Sequence, residues 1–317
     1  MESVPENILL RVPPGALYDI RKIHNLEKPG RIEEAVNILD SWLRKQDHII
    51  KKDFSKEYLE KTLVCCKGSV EKSKKQLDRL CTMKTMIPKF FSKTNVKTDL
   101  PEILKIGKLV PLPNLTDDFY RIIMIQLNCV ELSNDSFRQY FQYSTILAEY
   151  LKLHDYMNGI IIIYDYRQTN LFDVMMKIDT VELQQFITML ITSLQEGYGA
   201  RLKSIHMLTE SKATELIVNI VKQFVSEKIV NRMHVQRSLE DLHKVIPKEL
   251  LPVDYGGKQK SFDALHADTL RELSSPQNVE YVKMMFKACS DETKRNAGTF
   301  NEEYMGMPGS FRCLSVD

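Results

Sequence analysis

The chain has 317 residues, of which 43% are hydrophobic and 27% charged, so it is long enough to bury a large core and is globular by composition. Its 44 basic residues nearly balance its 42 acidic residues, and the formal net charge is +2. This balance excludes a globally basic nucleic-acid binder, so any anion site must be a local cluster of cations.

The first residues, MESVPENILLRVPPG, lack the basic start, continuous apolar segment and cleavage site of a secretory signal. No apolar run approaches the length needed to cross a bilayer. We therefore expect a cytosolic, cytoplasmic protein whose membrane contact is at most peripheral. The six cysteines show neither a CxxC pair nor zinc-ligand spacing, so we expect reduced thiols and no metal.

The N-terminal ninety residues are predicted to be helical. Residues 1–30 contain several prolines and are interpreted as an arm with one short helix over residues 16–23. Three further helices are predicted over residues 31–46, 56–66 and 70–86, the last of which stops before Pro88. We assign residues 31–92 to a small helical N-terminal domain and interpret its lysines as a solvated face.

The pattern changes to mixed α and β structure after residue 92. Strands are predicted over residues 109–112, 120–127, 159–165, 204–208 and 232–235, and helices over residues 136–153 and 180–195. The strand at 159–165 is apolar until Asp165, as expected for a strand covered on both faces. We assign residues 93–260 to an α/β domain and residues 261–317 to a C-terminal extension, with a helix near residues 278–288 and a mobile tail.

An amphipathic helix is predicted between the last two strands. Seven apolar residues between positions 213 and 225 follow the i, i+3, i+4, i+7 spacing of one helical face: Ala213, Leu216, Ile217, Ile220, Val221, Phe224 and Val225. Periodicity alone does not distinguish a helix packed on a core from a helix that covers a ligand.

Three motifs, in this order along the chain, resemble the CRAL-TRIO lipid-binding domain family, in particular its α-tocopherol transfer protein and retinaldehyde-binding protein branch. They are NGIIIIYD at residues 158–165, RLKSIH at 201–206 running into VKQFVSEKI at 221–229 and RMH at 232–234, and LPVDYGG at 251–257. The resemblance implies a helical N-terminal domain followed by an α/β/α domain. Its mixed sheet floors an apolar cavity, and residues 211–225 form a mobile gate helix.

The function implied by the resemblance is cytosolic binding and intermembrane transfer of a hydrophobic lipid ligand by a monomer without cofactor or catalytic residues. The ligand classes implied are tocopherols, retinoids, carotenoids and phospholipids. The side chains that we expect to line the ligand-binding cavity are Tyr140, Tyr143, Ile146, Ile160, Ile162, Tyr164, Leu190, Leu194, Ile205, Ile217, Ile220, Val221 and Phe224. Such a cavity should be mostly apolar, with few polar groups that orient the ligand.

The same branch carries a basic cluster that holds the headgroup of a phosphoinositide such as phosphatidylinositol bisphosphate near the gate. Its positions fall on Arg201, Lys228 and Arg232, with Lys203 adjacent. Cations there would bind phosphate oxygens through charge-assisted hydrogen bonds. Cys66 stands where the family has a further arginine, so one cation of the family cluster is missing.

The gate also departs from the family. Gln223 replaces a proline late in the gate, which predicts a straighter helix because the N–H donor is restored.

Two other classes of function remain as alternatives. An enzyme is disfavoured because the sequence has no GxSxG elbow, Walker loop or GxGxxG motif, and its only acid/base candidates are Asp165 with His206 or His234. A signalling adaptor without ligand would result if Tyr140, Tyr143 and Tyr164 filled the cavity.

Overall fold

A computed structural model describes residues 3–128, 133–177 and 179–295. In this part of the chain the α-helices are α1 (Ala16–Ile23), α2 (Arg31–Arg44), α3 (Lys56–Cys65), α4 (Val70–Met86), α5 (Val96–Asp99), α6 (Pro101–Ile106), α7 (Asn134–His154), α8 (Leu171–Lys177), α9 (Thr180–Thr192), α10 (Thr214–Lys222), α11 (Glu227–Val230), α12 (Leu239–His243), α13 (Phe262–Leu273) and α14 (Pro276–Phe286). A π-helical turn, Ser193–Gly197, extends α9.

The strands form one mixed five-stranded sheet in the order β1 (Gly107–Leu115), β2 (Tyr120–Leu127), β3 (Gly159–Asp165), β4 (Leu202–Leu208) and β5 (Met233–Gln236). The first pair is antiparallel, and every later pair is parallel. Parallel neighbours require crossover connections, which α7, α9 and α10 supply. The predicted class, a helical N-terminal region followed by an α/β/α unit with a mixed sheet, is confirmed.

The central strand β3 is covered on both faces. Ile161 and Ile163 pack into a core with residues of β1, β2, α12 and α13. Ile160, Ile162 and Tyr164 point to the opposite face, because successive side chains of a strand alternate. The apolar run that the sequence shows is therefore divided between two separate cores.

The carboxylate of Asp165 at the end of β3 joins the sheet to the LPVDYGG motif. Its Oδ2 atom accepts a 2.6 Å hydrogen bond from the Tyr255 hydroxyl, and the Arg167 guanidinium donates to both carboxylate oxygens. Burial opposes ionisation of Asp165, but the hydrogen bonds from Arg167 and Tyr255 hold its pKa below the ordinary value. A Cβ atom at Gly257 would lie 1.9 Å from the Leu251 carbonyl oxygen, so the motif requires glycine there.

The helical N-terminal region and the C-terminal helices are joined through a buried ion pair. Lys84 of α4 lies 3.0 Å from Glu149 of α7, with side-chain exposures of 1% and 0%. Lys84 also donates to the Met285 carbonyl oxygen of α14, and the Tyr198 hydroxyl donates to Glu149. Helix α14 is thereby held against α4 and α7 together.

The amphipathic helix is shorter than predicted. An unbroken helix through residue 225 was expected, but α10 ends at Lys222. The N–H groups of Gln223 and Phe224 bond to carbonyls three residues earlier, and Ser226 is extended before α11 begins. An N–H donor at position 223 permits an α-helix but does not require one, so the helix can end at Lys222 without a proline.

Other differences lie at the two ends of the chain. Leu9 and Leu10 of the predicted arm are buried in the core beside α7, and α13 follows Gly257 where only polar residues were recognised. The tail after residue 295 lies outside the described residues, as do Cys129 and Cys313.

We expect Tyr255→Phe to reduce the free energy of unfolding by about 1–3 kcal/mol, because a buried carboxylate loses one of its donors. Urea unfolding followed by circular dichroism measures the change. Tyr18→Phe is the matched control, since Tyr18 is 56% exposed and its loss should change stability by less than about 0.5 kcal/mol. Equal effects of the two substitutions would contradict the role assigned to Tyr255.

Candidate functional site: an apolar cavity beside a basic pocket

A large cavity lies between the sheet and the helices that cover the face of Ile160 and Ile162. It contains about 1520 Å³ of space not occupied by protein atoms, including its mouth. Its wall is formed by α7, α8, α9, α10 and α11 together with β3, β4 and β5, and most of the lining side chains are aliphatic or aromatic. This is the chemistry expected of a site for a hydrophobic ligand.

Eight of the side chains expected from the sequence line this cavity: Tyr140, Ile160, Ile162, Tyr164, Leu190, Leu194, Ile205 and Val221. Ile220 and Phe224 are half-buried and do not contribute to its wall, and the side chain of Ile217 lies outside the description. The helix ends before Phe224, which changes the direction of that side chain relative to the predicted stripe.

Tyr143 and Ile146 are buried in the core and do not line the cavity. Tyr140 of α7 lines it together with Phe137, whereas Ser144 and Leu147, on the same helical face as Tyr140 at i+4 and i+7, line a second space beside it. The Tyr143 hydroxyl donates to the Leu109 carbonyl oxygen at 3.0 Å. When a helix has apolar residues on more than one side, its sequence does not show which side faces the cavity.

A smaller cavity of about 880 Å³, including its opening, adjoins the large one. The two share five lining residues, Tyr140, Ile160, Ile162, Leu194 and Ala200, so they are contiguous. The far end of the smaller cavity reaches α3 of the helical N-terminal region. Nothing in the sequence pattern indicated this extension, because it depends on how α3 packs against α7.

Two tyrosine hydroxyls meet in the wall of the large cavity. The hydroxyl oxygens of Tyr140 and Tyr164 are 3.0 Å apart, and burial raises the pKa of both above the ordinary value. They are thus neutral polar groups in an apolar surface. These rings line the cavity and leave its volume open.

The four cations expected from the sequence line one pocket on the other side of this wall. Arg201 donates to Asn158 Oδ1 at 2.6 Å and to His24 Nε2 at 2.9 Å, which fixes its guanidinium. Arg232 donates to the Leu202 carbonyl oxygen. The other two are Lys203, whose amine lies 5.4 Å from the ring centre of Tyr120, and the exposed Lys228.

Four more cations reach the same pocket from the end of α3 and from α4: Lys67, Lys72, Lys75 and Arg79. Glu196 is the one acidic residue in the described wall, and it pairs with Arg79 at 2.7 Å. Cys66 also lines the pocket, and burial raises the pKa of its thiol to about 11, so it adds no charge. Some of the lysines interpreted as a solvated face therefore line a depression whose wall is strongly basic.

The basic pocket and the cavities share parts of one wall. Ala200 lines all three spaces, and Cys65 lines both the smaller cavity and the basic pocket. Lys228 lies in α11, close in sequence to the end of α10. An anion in the pocket would therefore sit directly behind the hydrophobic site.

The acid/base candidates are not assembled as a catalytic pair. Asp165 is bonded to Arg167 and Tyr255, whereas His206 bonds to Ser204 and Gln236. Burial, with a smaller contribution from His234, lowers the pKa of His206 to about 4, so this imidazole is neutral at pH 7. Its Nδ1 atom accepts from the Gln236 amide, so Nε2 carries the hydrogen and cannot take a proton from Ser204.

Within the described residues, no helix combines the length and apolar character that a bilayer crossing needs.

Residues 107–257 match the family model of the CRAL/TRIO domain, and residues 28–102 match the model described as Pinta-like, UBA domain. The first match contains the whole sheet and α10.

Similar proteins include an alpha-tocopherol transfer protein-like protein of Mus musculus, 26% identical over 274 residues that cover 84% of this chain and 76% of that protein. The alpha-tocopherol transfer protein-like protein of Homo sapiens is 27% identical over 247 residues, 75% of this chain and 68% of its own length. The crystal structure of Sfh5 superposes with a TM-score of 0.52 and 13% identity over 84% of this chain and 97% of that one, which supports the fold. Residues 107–257 of this chain therefore form a CRAL/TRIO domain, preceded by a helical region that matches the Pinta-like, UBA domain model.

Proposed function

We propose that the chain binds a hydrophobic small molecule in the two joined cavities and transfers it between membranes. The observation that carries the proposal is the apolar cavity itself, which remains open behind α10. Protein interiors contain few voids larger than a water molecule, so an apolar cavity between a sheet and its covering helices is typical of a ligand site.

Helix α10 and the segment after it form the gate in this proposal. Val221 and Val225 contribute to the cavity wall, while Lys222 and Gln223 between them are exposed. A helix with one apolar and one polar face can leave the cavity and place the same apolar face on a bilayer. Release on membrane contact needs no chemical step, so the proposed function is transport.

The basic pocket serves as the membrane sensor in this proposal, with a phosphoinositide headgroup as its ligand. Its described wall carries eight basic side chains and one acidic one. Lys72, Lys75 and Lys228 have no ion pair within the described part of the chain, so their charges are available to phosphate oxygens. Lys67, which follows α3, and Lys72 and Lys75 of α4 compensate for the cation that is missing at Cys66.

We also propose the division of the chain at residues 30, 92 and 260, with residues 31–92 as the helical unit and 93–260 as the lipid-binding unit. The basic pocket lies between these two units, because Lys72 and Lys75 belong to the first, and Arg201 and Lys228 to the second.

The ligand classes proposed are tocopherols, retinoids, carotenoids and phospholipids, of which the names of the relatives favour tocopherols. The open volume beside Tyr140 and Tyr164 favours this function over an adaptor with a filled cavity.

The carrier function predicts that purified protein contains a stoichiometric hydrophobic molecule, detected by native mass spectrometry and identified after organic extraction. Ile162→Trp should reduce its occupancy at least about tenfold, because the indole would enter the space where the two cavities join. Val245→Trp is the control for an added indole, since Val245 is 51% exposed outside the cavities. Protein that is empty and binds neither tocopherols, retinoids nor phospholipids would favour the adaptor.

Headgroup recognition predicts that replacing Lys72, Lys75 and Lys228 together by glutamine weakens binding to vesicles containing phosphatidylinositol 4,5-bisphosphate at least about tenfold. Each lysine near an anionic surface is worth about 1 kcal/mol. Cosedimentation at two salt concentrations measures the affinity and its screening. Glutamine at Lys260, Lys283 and Lys287 removes the same charge elsewhere, and an equal loss in that control would indicate general electrostatic attraction instead of a headgroup site.

A further inference from the structure

The far end of the smaller cavity is lined by two buried lysines. Lys61 of α3 and Lys152 of α7 belong to its wall, and only 6% and 7% of their surfaces are exposed. The remaining wall on the way to the large cavity consists mainly of aliphatic and aromatic side chains, among them Leu147, Leu151 and Met157. An apolar space with two buried lysines at one end of its wall has the polarity of an amphiphile with an anionic head.

Within residues 3–128, 133–177 and 179–295, neither amine forms an ion pair. The Lys61 amine donates to the Leu153 carbonyl oxygen at 2.6 Å. The Lys152 amine lies 4.0 Å from Cys65 Sγ and 5.1 Å from the ring centre of Tyr58.

The nearest carboxylates have other partners. Asp155 receives two hydrogen bonds from the Arg121 guanidinium, at 2.7 and 2.8 Å. Glu60 receives hydrogen bonds from Arg21 and from the Tyr156 hydroxyl. Asp155, which also lines the cavity, and Glu60 each already balance an arginine. The exposed Glu57 of α3 acts on Lys61 only at a distance, so neither lysine has an ion-pair partner of its own in the described residues.

Unpaired buried lysines are uncommon, because removing an ammonium group from water costs several kcal/mol unless an anion compensates it. Burial lowers the pKa of Lys61 to about 8, so this amine remains mostly charged at pH 7. Both lysines lie near the carboxyl end of α7, where the helix dipole offers only partial compensation. A ligand carboxylate at this end would supply the missing charge and accept the spare hydrogen bonds.

We propose that the smaller cavity binds the carboxylate of a long-chain carboxylic acid, with Lys61 and Lys152 as its partners and the chain extending past Tyr140 and Leu194 into the large cavity. The inference rests on the proposed carrier function and names its ligand class. It assigns a site distinct from the basic pocket, because Lys61 and Lys152 lie on the cavity side of Cys65.

The test compares equilibrium binding of palmitate, hexadecan-1-ol and hexadecane to delipidated full-length protein at pH 7.4. Wild type should bind palmitate at least about tenfold more tightly than hexadecan-1-ol, as expected for hydrogen bonds to a charged group. The double variant Lys61→Met, Lys152→Met should lose this preference and bind hexadecan-1-ol within about threefold of wild type, because methionine preserves the apolar stem. Lys283→Met, an exposed position in α14, removes one charge elsewhere and should leave all three affinities unchanged.

A second measurement uses wild type alone, so the test does not depend on the folding of the variants. Carbon-13 NMR of carboxyl-labelled palmitate should give the bound acid a pKa below that of the same acid in detergent micelles, because nearby cations stabilise the carboxylate. A raised pKa, an equal affinity for palmitate and hexadecan-1-ol, or an unchanged preference in the folded double variant would each overturn the proposed ligand class. If the carboxylate site is overturned but the protein still binds hexadecan-1-ol or hexadecane, the proposed carrier function remains intact. If the protein carries no native ligand and binds none of the three probes, both the carboxylate site and the carrier function are refuted.

Discussion

The structure depends on how the two faces of β3 are covered. Ile161 and Ile163 are buried in one core, whereas the alternating residues Ile160 and Ile162 face the cavity between the sheet and the helices opposite it. The filled core anchors the sheet, so the other face can retain an open space without loss of the fold. In the proposed carrier function this asymmetry supplies a fixed floor, and the helices opposite it are the part that moves when the ligand enters and leaves.

Buried polar contacts hold the rigid side in place. The Asp165–Tyr255 hydrogen bond ties the end of β3 to the motif after α12, and the Lys84–Glu149 pair joins α4, α7 and α14. Breaking one partner of such a pair leaves an uncompensated buried charge, so these contacts resist rearrangement. The cover has few such contacts, since α10 lies between turns and its neighbouring segment bonds mainly through its own backbone.

The hydrophobic and basic sites share a wall, and this proximity links their occupancy in the proposed function. Ala200 borders both cavities and the basic pocket, and α11 brings Lys228 to the pocket just after the gate segment. A headgroup bound there would act on the segment that must move for ligand release. Any coupling would be reciprocal, so ligand in the cavity would alter headgroup affinity by the same factor.

The sequence by itself determined the family, the order of the elements and the residues of β3 that face each core, because motif order and side-chain alternation are local properties. It also predicted Arg201, Lys203, Lys228 and Arg232 as members of one basic cluster, since their positions follow from the motif. Only the tertiary structure decided that Lys67, Lys72 and Lys75 complete the basic pocket, because these residues are distant in sequence from the sheet. It also decided that Lys61 and Lys152 line the smaller cavity, because this depends on how α3 packs against α7. It likewise decided that Tyr143 and Ile146 belong to the core and that α10 stops at Lys222, since helix rotation and helix length are set by packing against neighbours and not by periodicity.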